Sequence, residues 1–307
     1  MYATLFDKKY LSRGIAMIES LLSFEENAVI YVLCLDLETE IAVRTLSKTS
    51  NVSPIVLHEI GDKIVLQIRS DRSYREFCWA LSSIFCMHML KKQNAEVIYI
   101  DADVFFFGSP KSLLEECRTG DVAAIRHRFP ETLRQYEVNG IFNVQWVYFA
   151  NNRIGREACA TWAEQCIECS SYLPERGIIG DQKYLDSWPV QYPTFIDVKN
   201  LGAGVAPWNH EVMKPRRVKG EWTVIEETPL VFYHFHGLKI SNNGSITLAP
   251  KMYSKVKKLP KDLYAEYVSA LNQATEKFAL LVENPFINYK HLKILSVIKK
   301  LFVSLRD

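Results

Sequence analysis

The chain has 307 residues, of which 48% are hydrophobic, 12% aromatic and 23% charged, a composition that excludes disordered and collagen-like classes and allows a sizeable core. Lys+Arg 37 against Asp+Glu 35 leave a net charge of +2, so bulk charge gives no argument for a nucleic-acid partner. The balance is uneven, because Lys251 to Asp307 carries eleven Lys/Arg and five Asp/Glu, or +6, against 26 minus 30, or −4, before it. No apolar run approaches the roughly 18 residues needed to cross a bilayer, and no basic, apolar and small-residue series opens the chain. Residence in the cytoplasm is the expectation. Seven cysteines over this length are an odd number, which fits reduced thiols rather than a disulfide framework.

In chain order, Met1 to Phe6 reads as a strand. Leu11, Ile15, Ile18, Leu21 and Leu22 then recur at helical spacing within Tyr10 to Leu22, and the apolar run Ala28 to Leu35 suits a buried parallel strand. A helix near Leu37 to Lys48, a strand near Pro54 to Glu59, a helix from Tyr74 to Lys92 and a strand Glu96 to Ile100 continue the alternation. Strands at Val122 to Arg126 and Val144 to Ala150 follow, then helices from Gly155 to Cys169 and near Asp181 to Ser187. Pro and Gly cluster between Pro189 and Pro215, ahead of a strand Leu230 to His234. This alternation predicts an α/β fold with a mostly parallel sheet flanked by helices. A domain over residues 1–249 and a helical, basic appendage over 250–307 are expected.

Three segments carry chemistry. Val97 to Ile100 runs into Asp101-Ala102-Asp103 and then Phe105-Phe106-Phe107. Positions i and i+2 of an extended chain point the same way, so both carboxylates can face one hard cation at a sheet end, where ligands gather. Solvated acids in a turn are the alternative, but charges flanked by so many apolar residues need a counter-charge. Pro229 to Lys239 again contains a strand running into polar residues, and its His234 could complete a cation's shell. His236 shares that strand face, Gly237 permits close backbone approach, and Lys239 offers a point charge for phosphate. Gly180-Asp181-Gln182 places an acid and an amide at a helix start, where Asp181 could also serve only as an N-cap.

Together these segments resemble the metal-dependent glycosyltransferases of the GT-A fold, and among them glycosyltransferase family 8 with its bacterial lipopolysaccharide galactosyl- and glucosyltransferases. The likeness spans Met1 to Lys239. Asp7-Lys8-Lys9-Tyr10 resembles the family's uracil-binding first loop, Asp101-Ala102-Asp103 its DxD, Phe142-Asn143 the start of its sugar-facing strand, Gly180-Asp181-Gln182 its GDQ, and His234 to Lys239 its HFxGxxK. Lys239 stands one residue nearer the histidine than in the family pattern, and Gln145 replaces a small glycine.

The resemblance implies a hexosyltransferase using a nucleotide sugar, a UDP-hexose, with retention, and a surface-glycan hydroxyl such as that of lipopolysaccharide or O-antigen as acceptor. It implies a divalent ion on Asp101, Asp103 and His234. Mixed carboxylate and imidazole ligation favours manganese, with magnesium as the alternative. Asp7, Tyr10, Ala102, Asn143, Gly237 and Lys239 would hold the donor, and Asp181 with Gln182 would line its reacting face. Gln182 is expected to position rather than to act as a base. The competing class is a non-catalytic GT-A-fold scaffold at the membrane.

Three further features are open to plain readings. Cys166-Ile167-Glu168-Cys169 is a lone CxxC that fits packing. Arg126-His127-Arg128 could reach donor phosphates or form a solvated turn. From Asn288 to Arg306 a basic amphipathic helix is predicted, with Ile294, Leu295, Ile298, Leu301, Phe302 and Leu305 on one arc. Such a helix could lie on an anionic membrane surface or pack on protein, and membrane contact at the inner face of the cytoplasmic membrane is the expectation.

Overall fold

Strand β1 (Tyr2–Phe6), helix α1 (Leu11–Phe24) and strand β2 (Ile30–Cys34) open a computed structural model that describes residues 1–173, 178–241, 245–253 and 259–279. Helix α2 (Leu37–Leu46) starts at Asp36, whose carboxylate accepts from Thr39 N at 2.9 Å and satisfies one of the free N–H groups of the first turn. Strand β3 (Val52–Val56) begins earlier than the sequence suggests. It is the edge strand of the sheet, so Pro54 removes a donor the ladder does not need.

Helix α3 (Asp62–Ser70), unpredicted, precedes α4 (Tyr74–Gln93), which opens on a capping box between Ser73 and Glu76 and stops at Asn94 in the left-handed region, φ 50°. Then come β4 (Val97–Ile100), β5 (Val104–Phe106), α5 (Lys111–Cys117), β6 (Val122–Arg126), β7 (Phe142–Phe149) and α6 (Arg153–Glu168). Short elements follow: β8 (Tyr172–Leu173), β9 (Ile178–Ile179), α7 (Trp188–Gln191), β10 (Phe195–Asp197), α8 (His210–Met213), β11 (Arg216–Val218) and β12 (Glu221–Thr223). Strands β13 (Phe232–His234), β14 (Lys239–Ile240) and β15 (Ile246–Thr247) and helix α9 (Lys261–Lys277) complete the described chain.

Seven strands form the central sheet in the order β10-β6-β7-β4-β1-β2-β3. Within it β7 runs antiparallel to both neighbours, β4 and β6, and the other pairs are parallel. Alternate residues serve opposite layers: Ile98 and Ile100 join the cluster with α1, α2 and α5, while Val97 and Tyr99 join the one with α3, α4 and α6. A burial of both faces explains the continuous apolar runs of the sequence. A third cluster joins Tyr233 and Phe235, at and just past β13, to Leu263, Tyr264, Tyr267 and Leu271 of α9, with the Phe235 and Tyr267 rings stacked at 3.8 Å. The basic amphipathic helix expected over Asn288 to Arg306 lies outside the described residues. No helix among the described residues is long and apolar enough to cross a membrane.

Candidate functional site

The acids sit where β4 leaves the sheet. Asp101 N donates to Gln145 O at 3.3 Å, Val104 N turns back to Asp101 O at 3.2 Å, and β5 then departs to pair antiparallel with β13. That pairing sets His234 opposite Val104, and Phe235 N donates to Asp103 O at 2.9 Å. The side chains meet as a result: His234 Nε2 lies 2.9 Å from Asp103 Oδ1 and 3.9 Å from Asp101 Oδ2. His236 joins them, for Asp103, His234 and His236 each offer a ligand atom within 4.8 Å of the others. Trp208 stands edge-on to both imidazoles, at 5.2 and 5.6 Å between centroids.

Electrostatics separates the members. Burial pushes the Asp101 carboxyl up to about 6, with His234 opposing the rise and Asp103 adding to it. Burial acts on Asp103 in the same sense, but the charge of His234 and its hydrogen bond outweigh it and hold that carboxyl well below the usual range. Burial alone would lower the His234 imidazole; the two carboxylates reverse this and raise it. His236, further from the acids, is pushed down to about 4 by burial and then by the charge of His234. The cluster therefore holds one tight ion pair, Asp103 with His234, beside a second carboxyl and a second imidazole, a donor set of oxygen and nitrogen that a divalent ion could use.

Around this cluster the first loop is ordered by Asp7, whose Oδ1 accepts from Lys9 N at 3.0 Å and Tyr10 N at 3.1 Å and whose Oδ2 accepts from Tyr74 Oη at 2.8 Å. The Tyr10 ring, 45% exposed, is backed by the Arg13 guanidinium 4.8 Å from its centroid. Arg13 Nη2 also donates to Leu238 O at 2.9 Å, tying α1 to the segment after His236. Ala102, between the acids, is buried. Gly237 has φ +73°, and a Cβ there would stand 2.5 Å from the Pro250 ring. Its local demand is thus backbone conformation and packing. Lys239 opens β14 and is exposed.

Asn143 on β7 links the remaining members. Its Nδ2 is 3.1 Å from Gln182 Oε1 and 2.9 Å from His127 Nε2, and its Oδ1 accepts from Gln145 N at 2.9 Å. Asp181 is buried, its Oδ2 lies 2.8 Å from Ser82 Oγ, and its carbonyl accepts from Trp162 Nε1 at 3.0 Å. Burial pushes its carboxyl up to about 7; the Ser82 bond opposes that and the charge of Asp101 reinforces it. Gly180, φ +64°, passes the half-buried Trp79, which leaves a Cβ 3.2 Å from the indole.

The residues flanking His127 face elsewhere. Arg126 pairs with Asp197 at 2.9 Å, and Arg128 holds the carbonyls of Val198, Asn200 and Ala203. Cys166, on α6, is fully buried in the core. The sequence reading gave no role to Arg13, Ser82 or Trp208. Each holds a site segment through contacts between distant parts of the chain, a relation that no local spacing encodes.

No protein-family model matches the chain. It is 31% identical over 277 residues to the uncharacterized protein YfnD of Bacillus subtilis (strain 168), covering 89% of this chain and 88% of that one. The uncharacterized protein YfnF of the same organism is 27% identical over 255 residues, covering 80% and 84%. The solved structure of the galactosyltransferase LgtC in complex with donor and acceptor sugar analogs matches with a TM-score of 0.50 at 14% identity, over 86% of this chain and 99% of that one. An active-site mutant of LgtC gives 0.52 at 13% identity over the same shares. At these identities the likeness is one of fold.

Proposed function

Because the chain belongs to one family with YfnD and has the GT-A fold, resembling glycosyltransferase family 8, we propose that it is a metal-dependent glycosyltransferase moving a hexose from a UDP-sugar, with retention, to a hydroxyl of a lipid-linked surface glycan. The observation that carries this reading is the Asp103–His234 contact, 2.9 Å long and built across the β5–β13 pairing at the end of β4. Two acids and an imidazole gathered at a strand end suit a cation far better than a structural role, since an ion pair this buried is costly to keep without one.

Asp101, Asp103 and His234 would hold the divalent ion, with His236 near enough to join them. Such an ion supplies Lewis-acid stabilisation of the charge that builds on a departing nucleoside diphosphate. The chain's own groups do the rest. Tyr10, open on one face and backed by Arg13, offers a surface for the base, and Asp7 keeps that loop in place. Lys239 and the exposed Arg75 offer cations to the pyrophosphate; the charge of Arg75 already reaches His236. Asn143, Asp181 and Gln182 would line the sugar, Gln182 as the group that positions the reacting carbon. The basic stretch Asn288 to Arg306 would draw the enzyme to an anionic membrane surface where a lipid-linked acceptor is presented.

Purified full-length chain incubated with manganese and a panel of UDP-, GDP- and dTDP-sugars tests the proposal. Metal-dependent donor hydrolysis, greatest with a UDP-hexose, is the expected result. A protein that turns over none of them, with or without metal, is the non-catalytic scaffold instead.

A further inference from the structure

His127 has no part in the proposed reaction so far, yet its surroundings are built with care. The ring is 4% exposed, lies 4.8 Å from Phe129 in a stack inclined by 8°, and meets Trp208 at 5.1 Å. Its backbone carbonyl accepts from both Trp208 Nε1 and Asn209 Nδ2 at 2.8 Å. The ring nitrogens face different partners. Nδ1 lies 3.4 Å from Ile141 O, which can only accept, so Nδ1 carries the proton and Nε2 the lone pair. Burial pushes the imidazole down to about 3, which keeps that lone pair available through the neutral range.

The consequence passes along two amides. Asn143 gives one N–H to His127 Nε2 and the other to Gln182 Oε1, and takes Gln145 N–H on its oxygen. A flipped Asn143 would set N–H against N–H at Gln145 and oxygen against a lone pair at His127. Gln182 is fixed in turn, its Oε1 accepting from Asn143 and its Nε2 donating to Asn139 O at 2.7 Å. We infer that His127 is a positioning residue that, acting with Gln145 N–H on Asn143, helps hold the Gln182 amide in the orientation it presents beside the donor sugar. The inference rests on the proposed placing of Gln182 beside the reacting carbon.

Three variants and one spectrum test it. His127→Phe keeps the ring stack but removes the acceptor, and should lower kcat about tenfold or more while donor KM moves by less than about threefold. His127→Gln, which carries an acceptor oxygen near the position of Nε2, should restore kcat to within about threefold of the parent. In a Gln182→Ala background, His127→Phe should cause no further loss, because the two act as one unit. An unchanged kcat in His127→Phe, equal losses in the Phe and Gln variants, or additive losses with Gln182→Ala would each overturn the inference. The imidazole 15N spectrum decides the hydrogen-bond chain without turnover: an unprotonated Nε2 at neutral pH is required, and a protonated one refutes it. If the parent turns over no nucleotide sugar, the transferase reading fails while the spectrum still judges the chain.

Discussion

Asp181 is a carboxyl kept in a place that suits its neutral form, and this makes a measurable demand on stability. Ser82 Oγ lies 2.7 Å from Trp79 O and 2.8 Å from Asp181 Oδ2, yet a hydroxyl has one proton. If Ser82 donates to Trp79, a protonated Asp181 can donate to Ser82 and every group is paired. Burial raises the carboxyl from its ordinary 3.8 to about 7, so between these values the folded chain binds a proton that the unfolded chain has released. Stability must then fall as pH rises through about 7. For one group titrating midway between pH 6 and pH 8, that loss is about 1.4 kcal/mol. Asp181→Asn cannot titrate, and its amide can still donate to Ser82. Urea unfolding of parent and variant at pH 6, 7 and 8, with chelator present, should show the gap between them widening by about 1.4 kcal/mol toward pH 8, in favour of the variant. Parallel stability curves would refute the buried neutral carboxyl.

Asp103→Asn should abolish turnover and the manganese-induced rise in Tm while the chain still folds, because it removes charge without opening a cavity; a variant that keeps full activity would defeat the metal assignment. Gly237→Ala meets both a left-handed φ and the Pro250 ring, and should cost about 2–4 kcal/mol. At Gly220, φ +93° with open space, alanine meets only the first penalty, so thermal unfolding should rank the two glycines in that order. Truncation before Asn288 should leave the protein in the supernatant when anionic vesicles are sedimented, and co-sedimentation equal to that of the full chain would tell against membrane attachment.

Much of the frame was legible because strands buried on both faces write themselves as apolar runs, as Val122 to Arg126 does to the residue. The direction of β7 was not, since a run buried on both sides reads alike in either sense. Pro54 misled at β3 because a proline is harmless only when the strand lies at an edge, a property of the sheet and not of the segment. At the site, Asp101, Asp103 and His234 could be picked out by chemistry and strand context. The closeness of His236 to that group, and of His127 to Asn143, depends on how separate loops fold over one another.

Asp103 and His234 are 131 positions apart in the chain and are brought together by the short β5–β13 ladder of three residue pairs and the backbone bonds that flank it. On the proposed reading, the ion's ligand set stays incomplete until β13 has been made and has docked on β5, because closing so long a loop is an entropic step that local contacts cannot anticipate. Competence for the ion would then report that β13 is docked, and any lesion that frees β13 from β5 should abolish the proposed activity even where the remaining sheet is sound.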